Sequence, residues 1–117
     1  MGKIHPITVD KLWGREEWLV NDVDANYCVK RMTLHEGFQC SLHYHDVKDE
    51  TFYVTRGVVM LNVNSIMHRL ESGDYYRIKP GTIHRFHSTG GSAEFIECST
   101  YHSDSDVVRL EDSRQIA

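Results

Sequence analysis

The stretch Gly37-Phe38-Gln39-Cys40-Ser41-Leu42-His43-Tyr44-His45 runs on through Asp46–Asp49 to Glu50 and then to Gly57. It sets two histidines two positions apart among strand-forming residues. On a strand, residues i and i+2 leave the same face, so His43 and His45 stand side by side with Tyr44 on the other face. Two imidazoles in that arrangement can chelate one metal ion. Past the turn Asp46–Asp49, Glu50 opens the next strand beside them and adds an oxygen donor that offsets part of the ion's charge. Gly57 closes the following hairpin, where a positive φ is expected.

A second stretch, Gly73-Asp74-Tyr75-Tyr76-Arg77-Ile78-Lys79-Pro80-Gly81-Thr82-Ile83-His84, supplies one more histidine. Pro80-Gly81 suits a type II turn, which aims the next strand, with His84 near its start, back across a barrel. Three histidines and one glutamate form a nitrogen/oxygen set suited to Mn, Fe, Co, Ni, Cu or Zn. Such a set leaves coordination positions open for water or substrate.

The surrounding chain reads as all-β. Strand-like runs cover Tyr27–His35, Gln39–His45, Thr51–Thr55, Val58–Val63, Asp74–Ile78, Ile83–His87 and Ala93–Ser99, with Gly, Asn, Asp or Ser punctuation between them. Helical periodicity is weak. Leu12–Leu19 is compatible with a helical turn or an edge segment, and the tail Asp104–Ala117 with strand, short helix or a frayed end. An all-β chain of this size manages its strand edges by closing into a barrel or folding as a double-sheet jelly roll.

Bulk properties narrow the function. With 117 residues the chain forms one domain with a modest core. A net charge of −4 argues against nucleic acid and against a bare anionic membrane as partners. No apolar run approaches the length of a membrane span. Three cysteines, an odd and sparse set, argue against a disulfide framework, and with no signal-peptide pattern at the N-terminus the cytoplasm is the expected compartment. The eight histidines are about three times the usual share, near 2%. Of those outside the motif, His5, His35, His68 and His102 read as ordinary polar residues. His87 falls on the opposite strand face from His84 and reads as structural. Cys40 faces away from His43 by strand parity and reads as a core thiol.

These motifs resemble those of the cupin superfamily, G(x)5HxH(x)3–4E(x)6G and G(x)5PxG(x)2H(x)3N. Gly37, His43, His45, Glu50 and Gly57 meet the first without adjustment. In the second, Pro80 lies one position late and Ser88 stands in place of Asn, while Gly81-x-x-His84 is intact. The 15 residues Val58–Ser72 between the motifs match a short, bacterial-type spacing. The resemblance implies a single cupin domain over 1–117, a double-stranded β-helix (jelly-roll) barrel. Its metal-binding core spans about 27–100, and an N-terminal arm (1–26) and C-terminal tail (101–117) serve packing or dimer contacts. It also implies one divalent metal ion on His43, His45, Glu50 and His84.

Trp13-Gly14, the segment Ser41–His45 with Lys48, and Phe95–Thr100 with Asp106–Arg109 are similar to the branch holding type II mannose-6-phosphate isomerase domains and D-lyxose isomerases. That resemblance implies a metal-dependent aldose–ketose isomerase acting on a sugar or sugar phosphate. Glu97 would transfer the proton, provided partial burial raises its pKa, and Lys48 would meet substrate oxygens. Arg109 is a further candidate for holding a hydroxyl or phosphate. By parity Glu97 can point inward only if Phe95 does too. Two rivals share the same ligands: a dioxygenase with Fe or Cu, and a non-catalytic sugar-binding or regulatory cupin. Open strand edges lead us to expect a homodimer.

Overall fold

The computed structural model describes residues 6–116, so His5 and the first residues of the N-terminal arm lie outside it. Its strands are β1 (Ile7–Lys11), β2 (Gly14–Asp22), β3 (Tyr27–Leu34), β4 (Phe38–Gln39), β5 (Leu42–His45), β6 (Glu50–Arg56) and β7 (Val58–Val63). They continue as β8 (Ile66–Glu71), β9 (Tyr75–Ile78), β10 (His84–Ser88), β11 (Ala93–Ser99), β12 (Val107–Glu111) and β13 (Arg114–Gln115). Among the described residues the one helical element is the 3₁₀ turn Asp104–Asp106, so no helix is long and apolar enough to cross a membrane.

Two antiparallel sheets face each other as a jelly roll. One runs β1-β2-β3-β11-β6-β9. The other runs β12-β5-β10-β4-β13, with β7 also on β10 and β8 on β7. Alternation decides the faces. In β3, Cys28, Lys30, Met32 and Leu34 turn inward, and in β11 Ala93, Phe95 and Glu97 do the same. The apolar filling is a cluster of rings. Phe95 lies 4.6 Å from Phe52 and 5.1 Å from Phe86, and Trp13 meets Phe86 edge-on at 5.1 Å. Burying each such side chain stabilises the fold by about 1.5–3 kcal/mol.

The tight turns follow local chemistry. Asn64 and Ser65 take φ of 49° and 67°, the signature of a type I′ turn between β7 and β8. Thr82 N–H donates to Lys79 O at 3.2 Å around Pro80 and Gly81, whose φ is 80°, so this is the expected type II turn. Gly57 takes φ 74°, and a Cβ there would lie 2.5 Å from Ser92 O.

Four sequence readings change. Leu12–Leu19 holds no helical turn: most of it is β2, an interior strand whose Glu16 and Trp18 face Met32 and Lys30 across the ladder, and the edge is β1. Ile66–Glu71 forms a strand where none was expected. The run Gln39–His45 breaks at Cys40-Ser41, because the Arg85 guanidinium takes the Cys40 carbonyl (3.1 and 3.2 Å) that a ladder would use. The described part of the tail, 104–116, lays β12 against β5 and β13 against β4.

Gly81→Ala should cost about 1 kcal/mol from the left-handed backbone alone, since nothing lies within 4 Å of its Cβ position. Gly57→Ala should cost measurably more, because it adds a backbone clash. Urea unfolding of the two variants checks this order, and equal costs would contradict it.

Candidate metal centre

The two sheets bring the four sequence-selected residues together from three strands. β5 supplies His43 and His45, β6 starts at Glu50, and β10 starts at His84, paired directly with His43. One nitrogen from each of the three histidines lies within 4.8 Å of the others. The rings of His43 and His84 are 4.4 Å apart, and those of His43 and His45 5.1 Å. Glu50 Oε2 stands 3.2 Å from His45 Nε2 and 3.7 Å from His84 Nε2. Gly81 N–H donates to His45 O at 2.7 Å and so ties the type II turn to the His-x-His strand.

Protonation follows from the neighbours. His43 Nδ1 lies 2.8 Å from Ser41 O, and His84 Nδ1 lies 2.8 Å from Thr82 O. A carbonyl only accepts, so each Nδ1 carries the proton and each Nε2 presents a lone pair. Burial, reinforced by the neighbouring His84, drives His43 down to about 3. Burial also lowers His84, against the pull of Glu50. Both rings are therefore neutral at physiological pH, the form that binds metals. His84 Nε2 and Glu50 Oε2 are buried with no hydrogen-bond partner. Three converging imidazoles, two of them fixed through Nδ1, and an unsatisfied carboxylate oxygen fit a divalent metal ion, and this donor chemistry does not choose among first-row metals.

A cavity of about 90 Å³ opens beside these residues and is lined by His43, His45 and Glu50 together with Lys48, Glu97 and Arg109. Lys48 and Glu97 do not act separately. Lys48 Nζ lies 3.1 Å from Glu97 Oε2, 3.1 Å from His102 Nδ1 and 3.9 Å from Glu50 Oε1, with both Lys48 and Glu97 buried. Burial pushes the Glu97 carboxyl up, but the charges of Lys48 and Lys30 and the Lys48 hydrogen bond outweigh it and hold it down at about 2. The upward shift set as a condition for proton transfer by Glu97 is therefore absent, and this carboxyl is ionised. The same attraction from Glu97 and Glu50 overcomes the burial that would otherwise lower Lys48. Arg109 sits on β12 opposite His43, exposed at the mouth.

Several site residues escaped the sequence reading. His102, read as an ordinary polar residue, is buried, bridges Lys48 and Asp104 (2.9 Å), and lines the cavity. Lys30 lies opposite Glu97 on the inner face, and its place in an otherwise apolar alternation was the available signal. Asp106 accepts from the backbone N–H groups of Asp46, Val47 and Lys48 at 3.0–3.1 Å, holding the loop that presents Lys48. Cys40 packs in the core with its thiol raised by burial to about 12, yet it lines the same cavity as His43. The break at Cys40-Ser41 removes the parity that would have turned it away.

A two-sheet jelly roll with a histidine-lined mouth defines the class, and comparison with known proteins gives the family. The family model described as "Cupin domain" matches residues 30–98, so the chain belongs to the cupin family. Among solved structures, KdgF from Halomonas sp. superposes with a TM-score of 0.76 at 15% identity, covering 90% of this chain and 98% of that one. An RmlC-like cupin from Shewanella frigidimarina gives 0.74 at 17% identity, covering 86% and 87%. Oxalate decarboxylase from Bacillus subtilis gives 0.79 at 18% identity over 94% of this chain, which spans only 33% of that protein. These likenesses concern the fold. No curated protein matches the chain.

Replacing His84 or His43 by Ala should abolish tight metal binding, read as metal content after dialysis and gel filtration; full retention would place the ion elsewhere. The depressed Glu97 carboxyl stabilises the fold above its unfolded value, near 4.3, and that contribution fades as pH falls towards 2. The stability lost in Glu97→Gln should therefore be complete above about pH 5 and shrink with acidification in a pH series of urea denaturation curves. A pH-independent loss would show that the pairing is not its source.

Proposed function

We propose that the protein is a metal-dependent isomerase that interconverts an aldose and a ketose. One observation carries this reading: a buried carboxylate–ammonium pair, Glu97 and Lys48, shares a small cavity with the convergent histidines. A divalent ion held by His43, His45, Glu50 and His84 would polarise a substrate carbonyl and so acidify the neighbouring C–H.

The chain's own residues supply the rest. Isomerisation moves one proton between C2 and C1 of an open-chain sugar and a second between O2 and O1, which the Lys48 ammonium can relay. Glu97 Oε1, the oxygen that Lys48 does not engage, takes the proton from one carbon and returns it to the next. A carboxylate held at about 2 is a weak base. Once a substrate hydroxyl draws the Lys48 ammonium towards itself, the basicity of Glu97 rises. Lys48 thus orients the sugar and switches the base on. His102 accepts from Lys48 through Nδ1 and keeps that ammonium at the cavity wall. The apolar wall of Phe52, Phe86 and Trp13 shields the reacting carbons from water.

Protein loaded with Mn, Co or Zn should interconvert pentoses or hexoses, or their phosphates, with solvent deuterium entering at C1 or C2 in part of the product by NMR. Glu97→Gln should keep its metal and lose about 10²–10⁴-fold in turnover. Oxygen consumption by the Fe- or Cu-loaded protein, with no sugar converted, would favour the dioxygenase instead.

A further inference from the structure

Lys30 enters that scheme only as a charge opposite Glu97, and its large side chain is fully buried. Its side chain lines the cavity. The carboxylate oxygen near it, Glu16 Oε1 at 3.5 Å, already accepts Trp18 Nε1–H at 2.9 Å. The ammonium also lies 4.4 Å from the centre of the Trp18 ring, whose π face stabilises a cation without using its N–H donors. An ammonium offers three donors. With no shorter contact to a carboxylate among the described residues, Lys30 has donors to give a ligand.

The charge around it points the same way. The chain carries a net charge of −4, yet this cavity gathers four cationic side chains, Lys11, Lys30, Lys48 and Arg109, against three acidic ones, Glu16, Glu50 and Glu97. Lys48 is matched by Glu97 and Glu50, whereas Lys11 and Lys30 both lean on Glu16, at 4.0 and 3.5 Å. Arg109 has no carboxylate within 4.0 Å among the described residues. It stands on the opposite sheet from Lys30, so a ligand in the cavity meets positive charge on both walls, shared with Glu16 on the Lys30 side and unpaired at Arg109.

We infer that the ligand of this cavity is a small polyhydroxylated molecule bearing an oxyanion, a carboxylate or a phosphate. Lys30 seats the oxyanion and Arg109 attracts it at the mouth. The inference rests on the reading of the cavity as the substrate site and not on the isomerisation itself. A buried ammonium bonded to an oxyanion makes a charge-assisted contact in a region of low dielectric, which a neutral sugar cannot replace.

Equilibrium binding to the metal-loaded protein, by calorimetry, should be compared for D-ribose, D-ribonate and D-ribose 5-phosphate. At least one anion should bind tenfold or more tightly than D-ribose, with an advantage that declines as salt is added. Which of the two prevails identifies carboxylate or phosphate. Lys30→Met should erase the advantage of the anion over D-ribose while metal content stays unchanged. Should that variant fail to fold, Arg109→Gln, on an exposed position, should reduce the preference at least threefold. Absence of binding by both anions at millimolar concentration overturns the inference, as does equal binding of D-ribose or a preference that survives in every folded variant. Selective anion binding without sugar conversion would refute the isomerase and leave the inference standing.

Discussion

The pairing of β5 with β10, which sets His43 opposite His84, is the contact on which the centre depends. It joins segments 41 positions apart at one residue pair, and side chains alternate along both strands. A slip of one residue would turn His84 towards the far side of the sheet and leave His43 and His45 as a bare pair. Three contacts outside the strand ladders pin the register. Gly81 N–H meets His45 O at 2.7 Å, Asn64 N–H meets Ile83 O at 2.9 Å, and the Arg85 guanidinium grips the Cys40 carbonyl. The first needs a turn that only Pro80-Gly81 geometry supplies. The last consumes a carbonyl at the strand break and so lets β5 begin afresh at Leu42.

Around that centre the barrel departs from an apolar filling. Lys30, Lys48, Glu50, Glu97 and His102 are all buried. Removing such charges from water costs several kcal/mol each unless geometry and hydrogen bonding compensate. Lys48 is compensated best, with Glu97 and His102 both at 3.1 Å, and the pair polarises itself further into its charged form. Replacing buried ion pairs by apolar side chains of similar volume often leaves stability unchanged or raises it.

The all-β class, the positions of the four metal-site candidates and the Pro80-Gly81 turn were legible because each is local: alternation, a two-residue period and turn chemistry act over a few residues. Lys48 and Glu97 were visible as single residues, but their mutual pairing was not, since it joins a loop to a strand 49 positions away. This is why the sequence could weigh burial alone in asking for a raised Glu97 pKa, whereas two ammonium groups that burial brings beside it reverse the sign. His102 and Lys30 were missed for the same reason. Each is unremarkable in its own segment and becomes part of the site only through cross-strand neighbours. The tail was ambiguous because its order comes from partners far upstream, β5 for Val107–Glu111 and the 46–48 loop amides for Asp106.

That tail bears on how the site holds its shape. Asp106 collects three successive backbone N–H groups from the loop between His45 and Glu50, so the loop has the form of an anion nest filled by the protein's own carboxylate. The loop fixes the path from the His-x-His pair to Glu50 and carries Lys48 between them. Four buried side-chain polar atoms among those described lack a partner, and three of them belong to His45, Glu50 and His84. Elsewhere the barrel satisfies its buried polar side-chain groups almost completely, even at the cost of a carboxylate for one loop. Unmet hydrogen-bonding capacity concentrated at one point, inside a frame braced so heavily, is the pattern of a site shaped for a ligand that completes it.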